Sequence, residues 1–227
     1  MIGIIGAMKI EVDSIKTMMK NTTIKVISGI EFVQGSIHEH EVVVAQCGIG
    51  KVFAGICAQT MILQFPVTEI INIGIAGTLC DELGLLDIAI SNAVVEHDMD
   101  TSPLGDPVGL ISGINLVELP ACERLVQKIK KIATNMECHF VCGVIASGDQ
   151  FIGDPAKKSY IRKTFNAIAC EMEGAAIGQV CYVNNIDFVI IRTISDNADE
   201  TAGAMEYPTL CREAAKQSQK LIEAYLQ

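Results

Sequence analysis

A chain of 227 residues, half of them hydrophobic, is long enough to bury a substantial core, and its apolar runs are too short to span a membrane. Its net charge of −10 excludes nucleic acid as a partner, because phosphates have to be neutralised by clustered Lys and Arg. The nine cysteines fall mostly within apolar runs (Cys47, Cys57, Cys142, Cys170, Cys181), as buried reduced thiols do, which fits a cytoplasmic protein.

No Pro/Gly/Ser linker or charge run divides the chain, so residues 1–227 read as one domain. The opening Met1-Ile2-Gly3-Ile4-Ile5-Gly6 lacks the basic region and cleavage pattern of a signal peptide and reads as the approach to a strand over Gly3 to Ala7. Met8 to Lys20 has the helical period, with Val12, Ile15, Met18 and Met19 on its apolar side and Glu11 in its first turn. Residues 24–46 alternate as a β-meander around Gly29 and Gly35, with His38-Glu39-His40 as a turn. Gly48-Ile49-Gly50-Lys51 resembles a phosphate loop, but Ala45 and Val52 stand where that pattern needs Gly and Ser/Thr. It reads as a tight strand-to-helix turn, followed by a buried helix over 51–64. A central strand covers 70–77, and the small residues of Gly74-Ile75-Ala76-Gly77 let a ligand approach its backbone.

Leu85 to Val95 is a further strand. The stretch 96–115, with His97-Asp98-Met99-Asp100 and several Pro and Gly residues, reads as a functional or interface loop whose polar side chains bond locally. Leu116 to Asn135 is an amphipathic helix, Phe140 to Ala146 a strand running into Ser147-Gly148-Asp149-Gln150-Phe151, and 155–164 a short helix. Cys138, His139 and Cys142 lack the second ligand pair of a zinc site, so no metal is expected. Asp187 to Ile194 is a strand ending in Ser195-Asp196-Asn197, and a C-terminal helix begins near Pro208.

The chain is organised around Cys170-Glu171-Met172-Glu173-Gly174, where the apolar strand 167–169 meets a helix carrying Ile177, Val180 and Cys181. Such junctions are where open α/β sheets place ligand sites. On a strand, Glu171 and Glu173 share one face. They read either as a solvated pair at a helix start or as buried carboxylates whose cost is met by a ligand. Glu11 has the same two readings. Mixed βα alternation and an early meander predict an α/β fold, a three-layer α/β/α sandwich with a mixed central β-sheet. If its strand ends converge, the pocket gathers carboxylates, one Arg, a Phe and several Met, with no catalytic Ser–His pair. Carboxylates bind sugar hydroxyls, a Phe stacks on a flat base, and an acid of raised pKa protonates a leaving group, which together make glycosidic chemistry.

Gly6-Ala7-Met8 with Glu11, Ser147-Gly148-Asp149 with Phe151-Ile152, Glu171-Met172-Glu173, and Arg192 with Ser195-Asp196 match one family in order and spacing across essentially the whole chain. The sequence resembles the bacterial 5′-methylthioadenosine/S-adenosylhomocysteine nucleosidases of the purine nucleoside phosphorylase superfamily. The resemblance implies a nucleoside phosphorylase-like fold and cofactor-free hydrolysis of the N-glycosidic bond of 5′-methylthioadenosine and S-adenosylhomocysteine, and also of 5′-deoxyadenosine. It implies Glu11 as the base that deprotonates water, Asp196 as the acid at the purine N7, and Arg192 as a holder of the water. Glu173 and the Met172 backbone would bind the ribose hydroxyls, Phe151 would stack on adenine, and the Ile152 backbone would read its edge. Met8, Ile49 and Tyr207 would line the ribose and the 5′-thio arm, with Ala76, Gly77, Glu171 and Ser195 completing the strand-end wall. Thr101 and Leu104 match positions supplied by a neighbouring subunit, which implies a homodimer.

Two residues depart from the family pattern: Ile75 stands where serine is common, and Leu104 where an aromatic is usual. Both bear on substrate preference. A phosphorylase of the same superfamily would need arginines for phosphate in the first half of the chain, whereas Arg124, Arg162, Arg192 and Arg212 all lie in the second. A 6-amino-6-deoxyfutalosine hydrolase would use the same catalytic groups, and a non-catalytic adenosine sensor would not need Glu11. The proposed chemistry requires Glu11 ionised and Asp196 protonated or sharing a proton. The helix start is therefore expected to lower the first pKa, and apolar neighbours to raise the second.

Overall fold

The computed structural model describes residues 1–196 and 207–227, Tyr207 by its backbone alone. The chain begins with strand β1 (Ile2–Gly6) and helix α1 (Lys9–Met18), followed by the meander β2 (Lys20–Ile27), β3 (Ile30–Ile37) and β4 (His40–Gln46). Helix α2 (Lys51–Gln64) leads to β5 (Glu69–Thr78), β6 (Ile88–Glu96), the short β7 (Leu119–Pro120) and helix α3 (Glu123–Asn135). Then come β8 (Phe140–Ser147), α4 (Pro155–Phe165), β9 (Ala167–Glu171), α5 (Gly174–Asn184), β10 (Asp187–Asp196) and α6 (Tyr207–Tyr225).

Among the described residues ten strands belong to one mixed sheet, as the α/β sandwich reading requires. Helices α1, α3 and α6 cover one face through Val12, Ile15, Leu125, Ile129 and Leu221. Helices α2 and α5 cover the other through Ala54, Cys57, Ala58, Ala175 and Ile177. Burial on both faces explains why β1 and β5 are nearly continuous apolar runs rather than alternating ones. The sheet also closes on itself: β10 pairs with β6 and, in parallel, with β5, so β5, β10, β6, β8 and β9 form a ring and β1, β4, β3 and β2 extend from it. β5 and β9 meet antiparallel only at their C-terminal ends, through Gly77–Cys170 and Thr78–Ala169. Closure thus brings the ends of β1, β5, β9 and β10 to one place.

Several boundaries differ from the sequence reading. The first helix stops at Met18, because Lys20 already pairs with Ser36 in the meander. The helix expected from Leu116 begins at Glu123, since Leu119–Pro120 instead bonds to β6 as an edge strand, a place where proline's missing N–H is tolerated. Helix α2 is buried along only one stripe, and Val52, Phe53, Ile56 and Leu63 face outward.

Candidate active site

β1 delivers the chain to Met8, whose extended backbone (φ −111°, ψ 151°) caps α1. Glu11, at the third helical position, folds back so that its Oε2 accepts the Ala7 and Met8 N–H groups at 2.7 and 2.9 Å. The Ile75 N–H bonds to it as well. One side chain therefore serves both readings, finishing the helix start and standing at the strand ends, where it is 2% exposed. Gly74 leaves it room, as a Cβ there would lie 3.0 Å from Glu11 Oε1 and 3.4 Å from the Arg192 guanidinium carbon. The Glu11 pKa is raised, against the expectation from the helix start. Loss of hydration on burial outweighs the Met8 and Ala7 N–H groups and the Arg192 charge, all of which favour the carboxylate.

β9 ends at Glu171, and Glu173 is already the N-cap of α5, so the two carboxylates do not share a strand face as expected. They have different surroundings. Glu171 accepts the Glu173 and Gly174 N–H groups at 3.1 and 2.8 Å, the Ser147 hydroxyl, and Arg192 Nη2. Arg192 is 1% exposed and lies behind the wall of the site; its Nη2 also donates to Asn72 Oδ1 at 2.6 Å, and Nη1 to the Ile191 carbonyl at 3.1 Å. Asn72 in turn donates to the Ile5 carbonyl at 2.8 Å, tying β1 to this buried pair. Replacing Glu171 with Gln should leave the guanidinium without its main counter-charge. The expected loss is about 3–5 kcal/mol of stability, read as a fall of roughly 10 °C in melting temperature at fixed protein concentration.

Glu173 is less fully occupied. Its Oε1 accepts the Gly50 N–H at 2.9 Å, and its Oε2 lies 3.9 Å from Arg192. Burial, reinforced by the charge of Glu171, pushes its pKa up to about 7. On β10 the pairing register with β5 shifts between Ile194 and Asp196. This irregularity lets Ser195 and Asp196 both face the site, where regular alternation would send them to opposite faces. The Ser195 hydroxyl donates to Asp196 Oδ2 at 2.8 Å.

At these strand ends lies an open cleft of about 150 Å³. Of the residues expected from the sequence, Met8, Glu11, Ile49, Ala76, Gly77, Phe151, Glu171, Met172, Glu173, Ser195 and Asp196 line it. Ile152 lines an adjoining recess with Phe151, Cys170 and Asp196. Arg192 does not face the cleft. Thr101 and Leu104 lie outside it: the Thr101 hydroxyl donates to Asp106 at 2.8 Å, and Leu104 is 84% exposed beside a left-handed Gly105. The Tyr207 side chain falls outside the described residues. Ile75, which the sequence reading linked to substrate preference, also lines the cleft, as do Ala7 and Cys170, to which that reading gave no role. Nor did it assign Asn72 and Ser147, although a lone amide within Ile70-Ile71-Asn72-Ile73 is a signal for a buried polar contact.

The family model of the phosphorylase superfamily matches this mixed-sheet chain over residues 1–227. A 5′-methylthioadenosine/S-adenosylhomocysteine nucleosidase of a Shewanella species is 41% identical over 199 residues, covering 87% of this chain and 86% of the relative. A Helicobacter pylori MTAN mutant solved with 5′-methylthioadenosine in its active site superposes with a TM-score of 0.94 at 34% identity, over 99% of this chain and 96% of that one. The native futalosine hydrolase of H. pylori superposes with a TM-score of 0.93 at 33% identity and the same coverage. The chain belongs to the 5′-methylthioadenosine/S-adenosylhomocysteine nucleosidase family of that superfamily.

Proposed function

We propose that the chain, working as one unit over residues 1–227, hydrolyses the N-glycosidic bond of 5′-methylthioadenosine and S-adenosylhomocysteine, and of 5′-deoxyadenosine, releasing adenine and the 5-substituted ribose. The observation that carries this reading is the lining of a single cleft by Glu11, Glu173 and Asp196 together. Glu11 activates water, Asp196 protonates the purine N7, and Glu173 with the Met172 backbone holds the ribose hydroxyls. Phe151 and Ile152 take the base, and Met8 and Ile49 the sugar and its 5′ arm. Arg192, expected from the resemblance to hold the water, has Glu171 and Asn72 on one nitrogen and a backbone carbonyl on another. Its contribution in this reading is the positive charge it sets beside Glu11 and Glu173.

Hydrolysis is favoured over phosphorolysis because, among the described residues, no arginine lines the cleft to hold phosphate. Arg124 bonds Glu69 and Asp187, Arg162 bonds Asp81, Arg212 bonds Thr209, and Arg192 is paired with Glu171. The likeness to a futalosine hydrolase supports a futalosine-type nucleoside as a further substrate, and the alternative weighed from the sequence is its 6-amino-6-deoxy form. Ultraviolet detection of adenine release from methylthioadenosine, adenosylhomocysteine and aminofutalosine tests the reading. Absence of release from all three would refute it.

The homodimer implied by Thr101 and Leu104 is supported by the apolar face that α2 and α5 present. Val52, Phe53, Ile56, Tyr182 and Val183 are all exposed there, more than scattered surface residues account for. Sedimentation at assay concentration is expected to give twice the chain mass of 24.4 kDa, and a fully active monomer would contradict it. Among the described residues no helix is long and apolar enough to cross a membrane. The buried thiols of Cys47, Cys57, Cys170 and Cys181 support a cytoplasmic setting.

A further inference from the structure

The start of α2 is held from outside its own sequence. Its N-cap, Gly50, has no side chain to accept the first-turn N–H groups, and at φ 99° it takes a conformation that favours glycine. Two carboxylates from distant parts of the chain do the accepting. Glu173 Oε1 takes the Gly50 N–H at 2.9 Å, and Asp149 Oδ1 takes the Lys51 N–H at 2.8 Å. Asp149 is itself located by Asp98, whose Oδ2 accepts the Asp149 N–H at 2.8 Å. Lys51 closes the loop, with its Nζ 2.7 Å from Asp98 Oδ1 and 3.2 Å from Glu96 Oε2. The lysine side chain is only 18% exposed. Asp98 thus makes long-range bonds, not the local turn bonds expected from its sequence neighbourhood. The clip joins the end of β6, the turn after β8 and the turn before α2. The last two carry Phe151 and Ile49 into the cleft.

We propose that Lys51, Asp98 and Asp149 form a positioning clip that fixes the Gly50 N–H on Glu173 and sets the Ile49 and Phe151 walls, so that nucleoside affinity depends on three residues that never touch the nucleoside. This rests on the nucleosidase reading of the cleft. The groups facing Glu173 are the Glu171 and Glu11 carboxylates, the Arg192 guanidinium and the Cys47 thiol, with the Gly50 N–H as the contribution from the α2 turn. An N–H donated to a carboxylate favours its ionised form. Slackening the turn should therefore make Glu173 harder to ionise and weaken its grip on the ribose hydroxyls at a given pH.

The test uses the full chain, with adenine release from methylthioadenosine followed over about pH 5 to 9, a range that brackets carboxylates with raised pKa values. Lys51→Met and Asp149→Ala are each expected to raise KM by about tenfold while kcat changes by less than about threefold. Each should also move the acid limb of kcat/KM to higher pH, and Lys51→Arg should restore most of the loss. Unchanged KM in both variants would overturn the clip. So would a fall in kcat/KM by one factor at every pH, because mere loss of folded protein acts that way. Asp98→Asn, which keeps shape and an acceptor but removes charge, carries the same expectation if the other variants melt below the assay temperature. Inactive wild type would overturn the nucleosidase reading itself, whereas active wild type with unshifted variants would overturn the clip alone.

Discussion

Replacing Glu11 by Gln is expected to cut kcat on methylthioadenosine by about 10²–10⁴-fold with little change in KM. The amide keeps the shape and can still accept the Ala7 and Met8 N–H groups that hold the carboxylate at 2.7 and 2.9 Å. What it cannot do is take a proton from water as the ribose gains cationic character. The raised pKa of Glu11 makes the same prediction in pH. As the proposed base, Glu11 works ionised, so turnover should fall as pH drops through a value above the ordinary glutamate range. Burial makes ionisation harder, but it also makes the carboxylate a stronger base once ionised. Glu11→Gln should remove that acid limb from the kcat profile and leave in kcat/KM the limb set by Glu173, moved to lower pH because the Glu11 charge that helps raise the Glu173 pKa is gone. A variant with near-normal kcat would assign water activation to another group.

Asp196→Asn is expected to be comparably severe, about 10²–10⁴-fold in kcat, while inhibitors that mimic the substrate still bind. Adenine leaves as an anion unless its N7 is protonated, and an amide has no acidic proton to supply. Because Asn can donate to an oxo group where Asp accepts from an amino group, the variant should also lose part of its preference for 6-amino over 6-oxo purines. Ser195, which donates to Asp196 Oδ2, remains as a reporter: Ser195→Ala should weaken the site far less, by roughly the ~1 kcal/mol of one hydrogen bond. Near-wild-type turnover by Asp196→Asn would mean that leaving-group activation comes from elsewhere.

What the sequence made legible was set by local signals. β1, the meander, β5 and β10 carry apolar runs of strand length, and Gly48 and Gly50 mark the turn into α2 where positive φ is needed (93° and 99°). The carboxylates at strand ends were legible for the same reason, since Glu11, Glu173 and Asp196 each follow an apolar run. Three things were not. Ring closure of β10 onto both β5 and β6 is a pairing between distant strands, and periodicity within a strand carries no trace of its partner. The different surroundings of Glu171 and Glu173 depend on where β9 stops, and a shift of two residues there turns one carboxylate inward to Arg192 and leaves the other at the cleft. The sign of the Glu11 shift depends on the depth of burial, which the helix-start argument could not weigh.

In the proposed reaction water, and not phosphate, cleaves the glycosidic bond. The most direct measurement is mass-spectrometric identification of the sugar formed from methylthioadenosine, in parallel reactions with and without inorganic phosphate. Free 5-methylthioribose and the same rate of adenine release are expected in both. Formation of 5-methylthioribose 1-phosphate, or a rate that depends on phosphate, would contradict that reaction.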